Sequence, residues 1–217
     1  MKQSQLQAAE QKEQTALAQL VRSLNQGGHN PATSGNYSLR SQARPGFCLV
    51  SESGVDKALF KEENLLWVDQ RTGGLEPSLA AQGKKPSDET LVHLGIYKVT
   101  GANCILHSHL LESLLFAELH PKTEVIWLEG LELLKGFAGV KTHEAKIPLF
   151  CFENTQDIGA LSARIEADLV AAPQTYGLLL RGHGLYVWGN SVKEAKRHLE
   201  VFEYLFRYYV HLNRIKP

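Results

Sequence analysis

Asn103-Cys104-Ile105-Leu106-His107-Ser108-His109 is a short apolar run that ends in two histidines separated by one residue. Its length and composition read as a strand. Side chains two apart on a strand point to the same face, so His107 and His109 can converge on one metal ion. A third ligand is missing from the run itself. Cys104 stands at an odd offset from His107, which places it on the opposite face, where it reads as a small buried apolar residue. His183, held between two glycines in Arg181-Gly182-His183-Gly184, is the natural third ligand. Three histidines plus an open position form a common catalytic zinc arrangement. Such a site predicts Lewis-acid chemistry on a carbonyl or hydroxyl substrate.

Outward from this strand, elements alternate. Upstream, Ser4 to Asn25 carries a helical stripe that includes Leu17, Leu20, Val21 and Leu24, closed by Gly27-Gly28. Phe47–Val50 and Leu65–Asp69 read as strands, with a turn at Arg71-Thr72-Gly73-Gly74. Ser87 is an N-cap candidate for a helix running to about Val99. Downstream, helices are expected over Leu110–Leu119, Leu128–Phe137, Ile158–Ala171 and Val192–Leu212. Strands are expected over Ile147–Phe152, Tyr176–Leu180 and Leu185–Gly189. Several strands follow one another through short turns, so part of the sheet is antiparallel.

The chain has 217 residues, which suits one domain spanning 1–217. Lys and Arg total 23 and Asp and Glu total 23, so no net basic field draws nucleic acid or an anionic membrane. An anionic substrate must be caught locally. Three scattered cysteines, Cys48, Cys104 and Cys151, do not form a disulfide framework and read as core residues. No segment has the apolar length of a membrane span or signal peptide, so the expected compartment is the cytoplasm.

Three small polar clusters have the composition of phosphate-binding turns: Thr33-Ser34-Gly35-Asn36, Ser51-Glu52-Ser53-Gly54 and Pro86-Ser87-Asp88-Glu89. Lys57 could add a point charge. His29, His93, His120, His143, His198 and His211 each stand alone and read as surface or helix-face residues.

These motifs, in this order, resemble the class II aldolase/adducin family from about Ala16 to Tyr208. Within it, Arg181 to Gly189, Leu131 to Gly136 and Glu194 to Glu200 are similar to a dehydratase branch that serves methionine salvage. The resemblance implies a three-layer α/β/α sandwich around a central, mainly antiparallel sheet. It implies a homotetramer with active sites between subunits, and one Zn2+ per subunit at His107, His109 and His183. It implies contacts to a small phosphorylated ketose from Asn36, Ser53, Gly54 and Ser87. Asp88 stands where aldolase members usually carry a serine; its charge would repel a phosphate, so it is left out of the site. Aldolase members place the acid/base glutamate at Glu89, whereas the dehydratase branch places it at Glu132. The resemblance therefore favours Glu132 as the catalytic acid/base, with Glu89 a substrate-pocket residue. The implied reaction is loss of water from a methylthio-ketose phosphate. The alternatives are a sugar-phosphate aldolase and a non-catalytic adducin-like interaction protein.

Overall fold

The computed structural model describes residues 2–172 and 174–215, so Met1, Pro173, Lys216 and Pro217 of the expected domain lie outside the described residues. Helix α1 (Lys2–Gln26) buries Leu17, Leu20, Val21 and Leu24, the stripe its periodicity marks. Strands β1 (Asn36–Arg40), β2 (Phe47–Ser51) and β3 (Leu65–Asp69) follow. After a four-residue helix α2 (Pro77–Ala80) come α3 (Thr90–Val99), β4 (Cys104–Ser108), α4 (Leu111–Glu118) and β5 (Val125–Leu128). The chain closes with β6 (Ile147–Phe152), α5 (Ile158–Val170), β7 (Gly177–Leu180), β8 (Gly184–Gly189) and α6 (Val192–Ile215).

Among the described residues the strands form one eight-stranded sheet, ordered β3-β2-β1-β4-β8-β7-β6-β5. Every neighbouring pair is antiparallel except β6–β7. Strand alternation divides the core in two. Leu39, Leu49, Cys104, Leu106 and Val187 share one apolar cluster with α1, α4 and α6. Cys48, Val50, Ile105, Leu178 and Tyr186 share the other with α3 and α5. The result is the three-layer sandwich, and Cys104 lies on the face opposite Ile105 and His107. No described helix is long and apolar enough to cross a membrane.

Two elements depart from the reading of the sequence. The stretch expected as a helix over Leu128–Phe137 is instead the end of β5, a glycine at φ +78° (Gly130), and a 3-10 turn over Glu132–Gly136. Val125-Ile126-Trp127 favours a strand, and pairing with β6 outweighs the helical spacing of the leucines. Strand β1 was not expected, because Asn36 and Ser38 look like loop residues; both are buried and hydrogen-bonded to α3.

His29, His93 and His198 also depart from expectation: all three are buried. His29 bridges Leu24 O through Nδ1 at 3.1 Å and Glu203 of α6 through Nε2 at 3.3 Å. Both neighbours are acceptors, so only the imidazolium satisfies both. The Glu203 hydrogen bond raises the His29 pKa from 6.5 against the pull of burial, and the His29 hydrogen bond lowers that of Glu203 from 4.5. The His29 contribution is complete below pH 6.5 and is lost as pH rises through the folded-state value. The Glu203 contribution is present above pH 4.5 and is lost as pH falls through its lowered value. In urea unfolding of chelated protein, His29→Gln therefore costs about 1 kcal/mol near pH 6 and progressively less toward pH 9.

Candidate active site

The His107, His109 and His183 side chains converge at one end of the sheet. His107 is the last inward residue of β4, and His109 follows just past the strand end, its amide bonded to His29 O at 3.0 Å. His183 sits in the turn between β7 and β8, where Gly182 takes φ +62°. At Gly184 a Cβ would lie 2.3 Å from Ser108 O and 3.1 Å from His107 Cε1, so only glycine lets this turn close against β4.

His107 Nε2 lies 3.1 Å from His109 Nε2 and 3.3 Å from His183 Nε2. The outer nitrogens of two rings face acceptors: His107 Nδ1 donates to Leu185 O at 3.1 Å and His183 Nδ1 to Asn154 Oδ1 at 3.2 Å. Those bonds fix the protons on Nδ1 and turn bare Nε2 lone pairs toward one another. Lone pairs in contact repel unless a cation lies between them. Two nitrogens on a tetrahedral zinc at the usual bond length are about 3.3 Å apart, which the observed spacing matches. Burial lowers the pKa of His107 well below 6.5 and also lowers that of His109, keeping both neutral as ligation requires. These three residues can hold a metal ion.

Glu89, the residue that opens α3, lies against the cluster. Its Oε1 is 2.9 Å from His183 Nε2, and its Oε2 is 3.4 Å from His107 Nε2. Oε2 also accepts from Asn36 Nδ2 at 2.5 Å and from the Tyr186 hydroxyl at 2.7 Å. Burial opposes ionisation of Glu89; when His183 and His107 take up protons, the His183 Nε2–H hydrogen bond and the two positive charges, with the Tyr186 hydroxyl, outweigh it and hold the carboxyl well below its ordinary range. Tyr186 stacks on His107 with centroids 4.0 Å apart.

Two cavities meet at this centre, and Asp88, Glu89, His109 and His183 line both. One, of about 350 Å³, is walled by Ser34, Asn36, Ser53, Gly54, Lys57 and Ser87. Its clusters meet because a bridge pairs Glu52 with Pro86, with Ser53 N bonded to Lys85 O at 2.9 Å and Ser87 N to Ser51 O at 3.1 Å. Ser87 does not cap α3 directly; its Oγ accepts from Glu89 N in the turn before it. Lys57 is buried, with Nζ on the carbonyls of Thr33 and Val55 at 3.0 and 3.1 Å, and burial lowers its pKa. Asp88 points out to Lys85. The second cavity, of about 740 Å³, adds Pro31, Leu114, Ile158 and the Asn154–Gln156 loop.

The model of the Class II Aldolase and Adducin N-terminal domain matches residues 15–210. The chain belongs to the class II aldolase/adducin family. Two relatives named methylthioribulose-1-phosphate dehydratase are similar over most of their length. The one from Cronobacter sakazakii is 44% identical over 180 residues, 82% of this chain and 84% of its own. The one from Stenotrophomonas maltophilia is 39% identical over 204 residues, 92% of each chain. The L-fuculose-1-phosphate aldolase structure from Thermus thermophilus shares the fold, with a TM-score of 0.71 and 22% identity over 99% of this chain and 98% of that one.

In this class II aldolase/adducin chain Glu132 is not brought to the histidines. β4 runs toward the metal end, and the pairings β4–β8–β7–β6–β5 make β5 run away from it. Glu132, just past β5, therefore lies at the far end of the sheet, about 20 Å away along a six-residue strand. Its carboxylate is 71% exposed and pairs with Lys135 and His143. Sequence reasoning missed Tyr186, His93 and Asn154, which support the site; the signal for Tyr186 was its place two residues after Gly184 on a strand facing β4.

Proposed function

We propose that this chain is a methylthioribulose-1-phosphate dehydratase, converting 5-methylthioribulose 1-phosphate to 2,3-diketo-5-methylthiopentyl 1-phosphate. The similarity to relatives of that name over 92% of the chain carries the reading. The intact histidine cluster disfavours a non-catalytic adducin-like role.

His107, His109 and His183 would hold one Zn2+ per subunit, a metal for which three imidazoles are suited ligands. When bound, zinc supplies Lewis acidity that stabilises the negative oxygen formed as the C3–H bond breaks beside the ketone. Asn36, Ser53, Gly54, Ser87 and Lys57 would bind the phosphate in the polar cavity, and Leu114, Ile158 and Pro31 would receive the methylthio end. Glu89 would line the pocket between them. The substrate is thereby held across the centre with its C3 hydrogen fixed toward the base. Glu132 takes the C3 proton and returns it to the departing C4 hydroxyl, which leaves as water; the enol that remains tautomerises to the diketone.

With Glu132 at the far end of its own sheet, this role requires that it serve a neighbouring subunit. Trp127 and Leu133, 57% and 37% exposed, flank Glu132, while Leu111 and Leu115, 62% and 37% exposed, lie on the helix that follows His109. Two different apolar surfaces at opposite ends of one chain would pair head to tail, an arrangement that closes a ring when the rotation between copies permits. A homotetrameric ring would carry Glu132 of one copy to the metal site of the next.

The second reading, a class II sugar-phosphate aldolase, is favoured by the contact of Glu89 with His183. Product mass separates the two. The dehydratase yields one uncut five-carbon chain lighter by one water; an aldolase yields two fragments, and finding fragments would overturn the proposal. Lys57→Met is expected to raise KM for the phosphorylated substrate by on the order of 10–100-fold, the loss of one charge-assisted hydrogen bond, with a smaller change in kcat.

A further inference from the structure

Behind Glu89 a chain of buried hydrogen bonds runs through the sheet to α3, and the valence of each group fixes its direction. Ser38 and His93 are 0% exposed and Tyr97 is 2% exposed. A carboxylate only accepts, so Asn36 Nδ2 donates to Glu89 Oε2 at 2.5 Å. The Asn36 amide thus turns its oxygen to His93 Nε2 at 2.5 Å, and that nitrogen must carry a proton. Burial pushes the His93 pKa down to about 4 against the opposite pull of Glu89, so the ring is neutral and its Nδ1 is a lone pair. The Ser38 hydroxyl, 2.7 Å away, donates to it. With its proton committed, Ser38 Oγ accepts from the Tyr97 hydroxyl at 2.7 Å. Every donor in the chain points toward Glu89.

We propose that His93 is a positioning residue for the active site: as its Nε2–H tautomer it holds the Asn36 amide with the nitrogen toward Glu89. Glu89 Oε2 is then tied by both Asn36 and Tyr186, and Oε1 is left facing His183 and the cavities. An Asn36 amide turned the other way would set its oxygen against the carboxylate. A histidine fits this place because the neighbouring α3 residues Val92, Leu94 and Ile96 are buried and apolar, and an apolar residue at 93 would leave Ser38 and Asn36 unpaired in the core. The catalytic consequence rests on the dehydratase reading; the tautomer does not.

The test has two arms. Nitrogen NMR of 15N-histidine-labelled wild-type protein, with His93→Gln for assignment, should show His93 as the neutral Nε2–H tautomer from about pH 6 to 9. An Nδ1–H tautomer or an imidazolium in that range overturns the proposal. In the second arm, His93→Leu is expected to lower kcat about 10–100-fold, as loss of an orienting partner does, with KM for the phosphorylated substrate raised through the released Asn36 and metal content little changed. His93→Gln supplies an N–H for Asn36 and an oxygen for Ser38, and should recover most of that loss. A folded His93→Leu protein with wild-type kcat, or equal damage in both variants, contradicts the proposal. Failure of the dehydratase reading appears separately, as no turnover in the wild type.

Discussion

Glu132→Gln is expected to lower kcat on 5-methylthioribulose 1-phosphate by about 10²–10⁴-fold, the range for loss of a general acid/base. Melting temperature and metal content should not change, because the carboxylate is 71% exposed and its partners are the surface groups Lys135 and His143. The stronger form of this prediction is complementation. Glu132→Gln alone and His183→Ala alone should each retain at most a small residue of activity. In equal mixture within a head-to-tail ring, about one site in four combines a wild-type metal cluster with a wild-type Glu132 from the neighbour. Co-expressed variants should recover up to that share of activity. If Glu132 worked within its own subunit, every mixed site would lack one group and nothing would return. Near wild-type turnover by Glu132→Gln would remove the residue from the mechanism and move the role to Glu89.

His183→Ala should reduce activity about 10³-fold or more and lower the metal retained through gel filtration, since two imidazoles remain where three are needed to hold the ion and keep its Lewis acidity in place. His183 suits this test better than His107. It lies in a glycine-flanked turn with its side chain 16% exposed, so its loss spares the core. His107 is fully buried and stacked on Tyr186, and its removal opens a cavity in the sheet layer. The variant is checked by metal analysis alongside turnover. Full activity with full metal content would show that the cluster is not the ligand set.

How far the sequence speaks depends on what kind of force decides each element. His107 and His109 were legible because strand alternation is local, and Cys104 fell on the opposite face for the same reason. β3, α1 and α6 were legible from their periodicity. β1 was not, because its buried face is polar: Asn36 and Ser38 are stable there only through His93 and Tyr97, more than 50 residues away. β5 was misread for a related reason, since a short edge strand is decided by its partner β6. The buried histidines follow the same logic. Each of His29, His93 and His198 is buried because distant partners satisfy its nitrogens. The separation of Glu132 from the histidines depends on strand direction across five strands, which no local pattern encodes.

The most direct test is turnover of 5-methylthioribulose 1-phosphate by the purified protein, loaded with zinc and then stripped by chelator, with the product resolved by mass. The metal-loaded protein should release the five-carbon diketone phosphate lighter by one water, stop when stripped, and resume when zinc is returned. Dehydration that continues unchanged in the stripped protein, or a metal-loaded protein that leaves the substrate intact or splits its carbon chain, would contradict it.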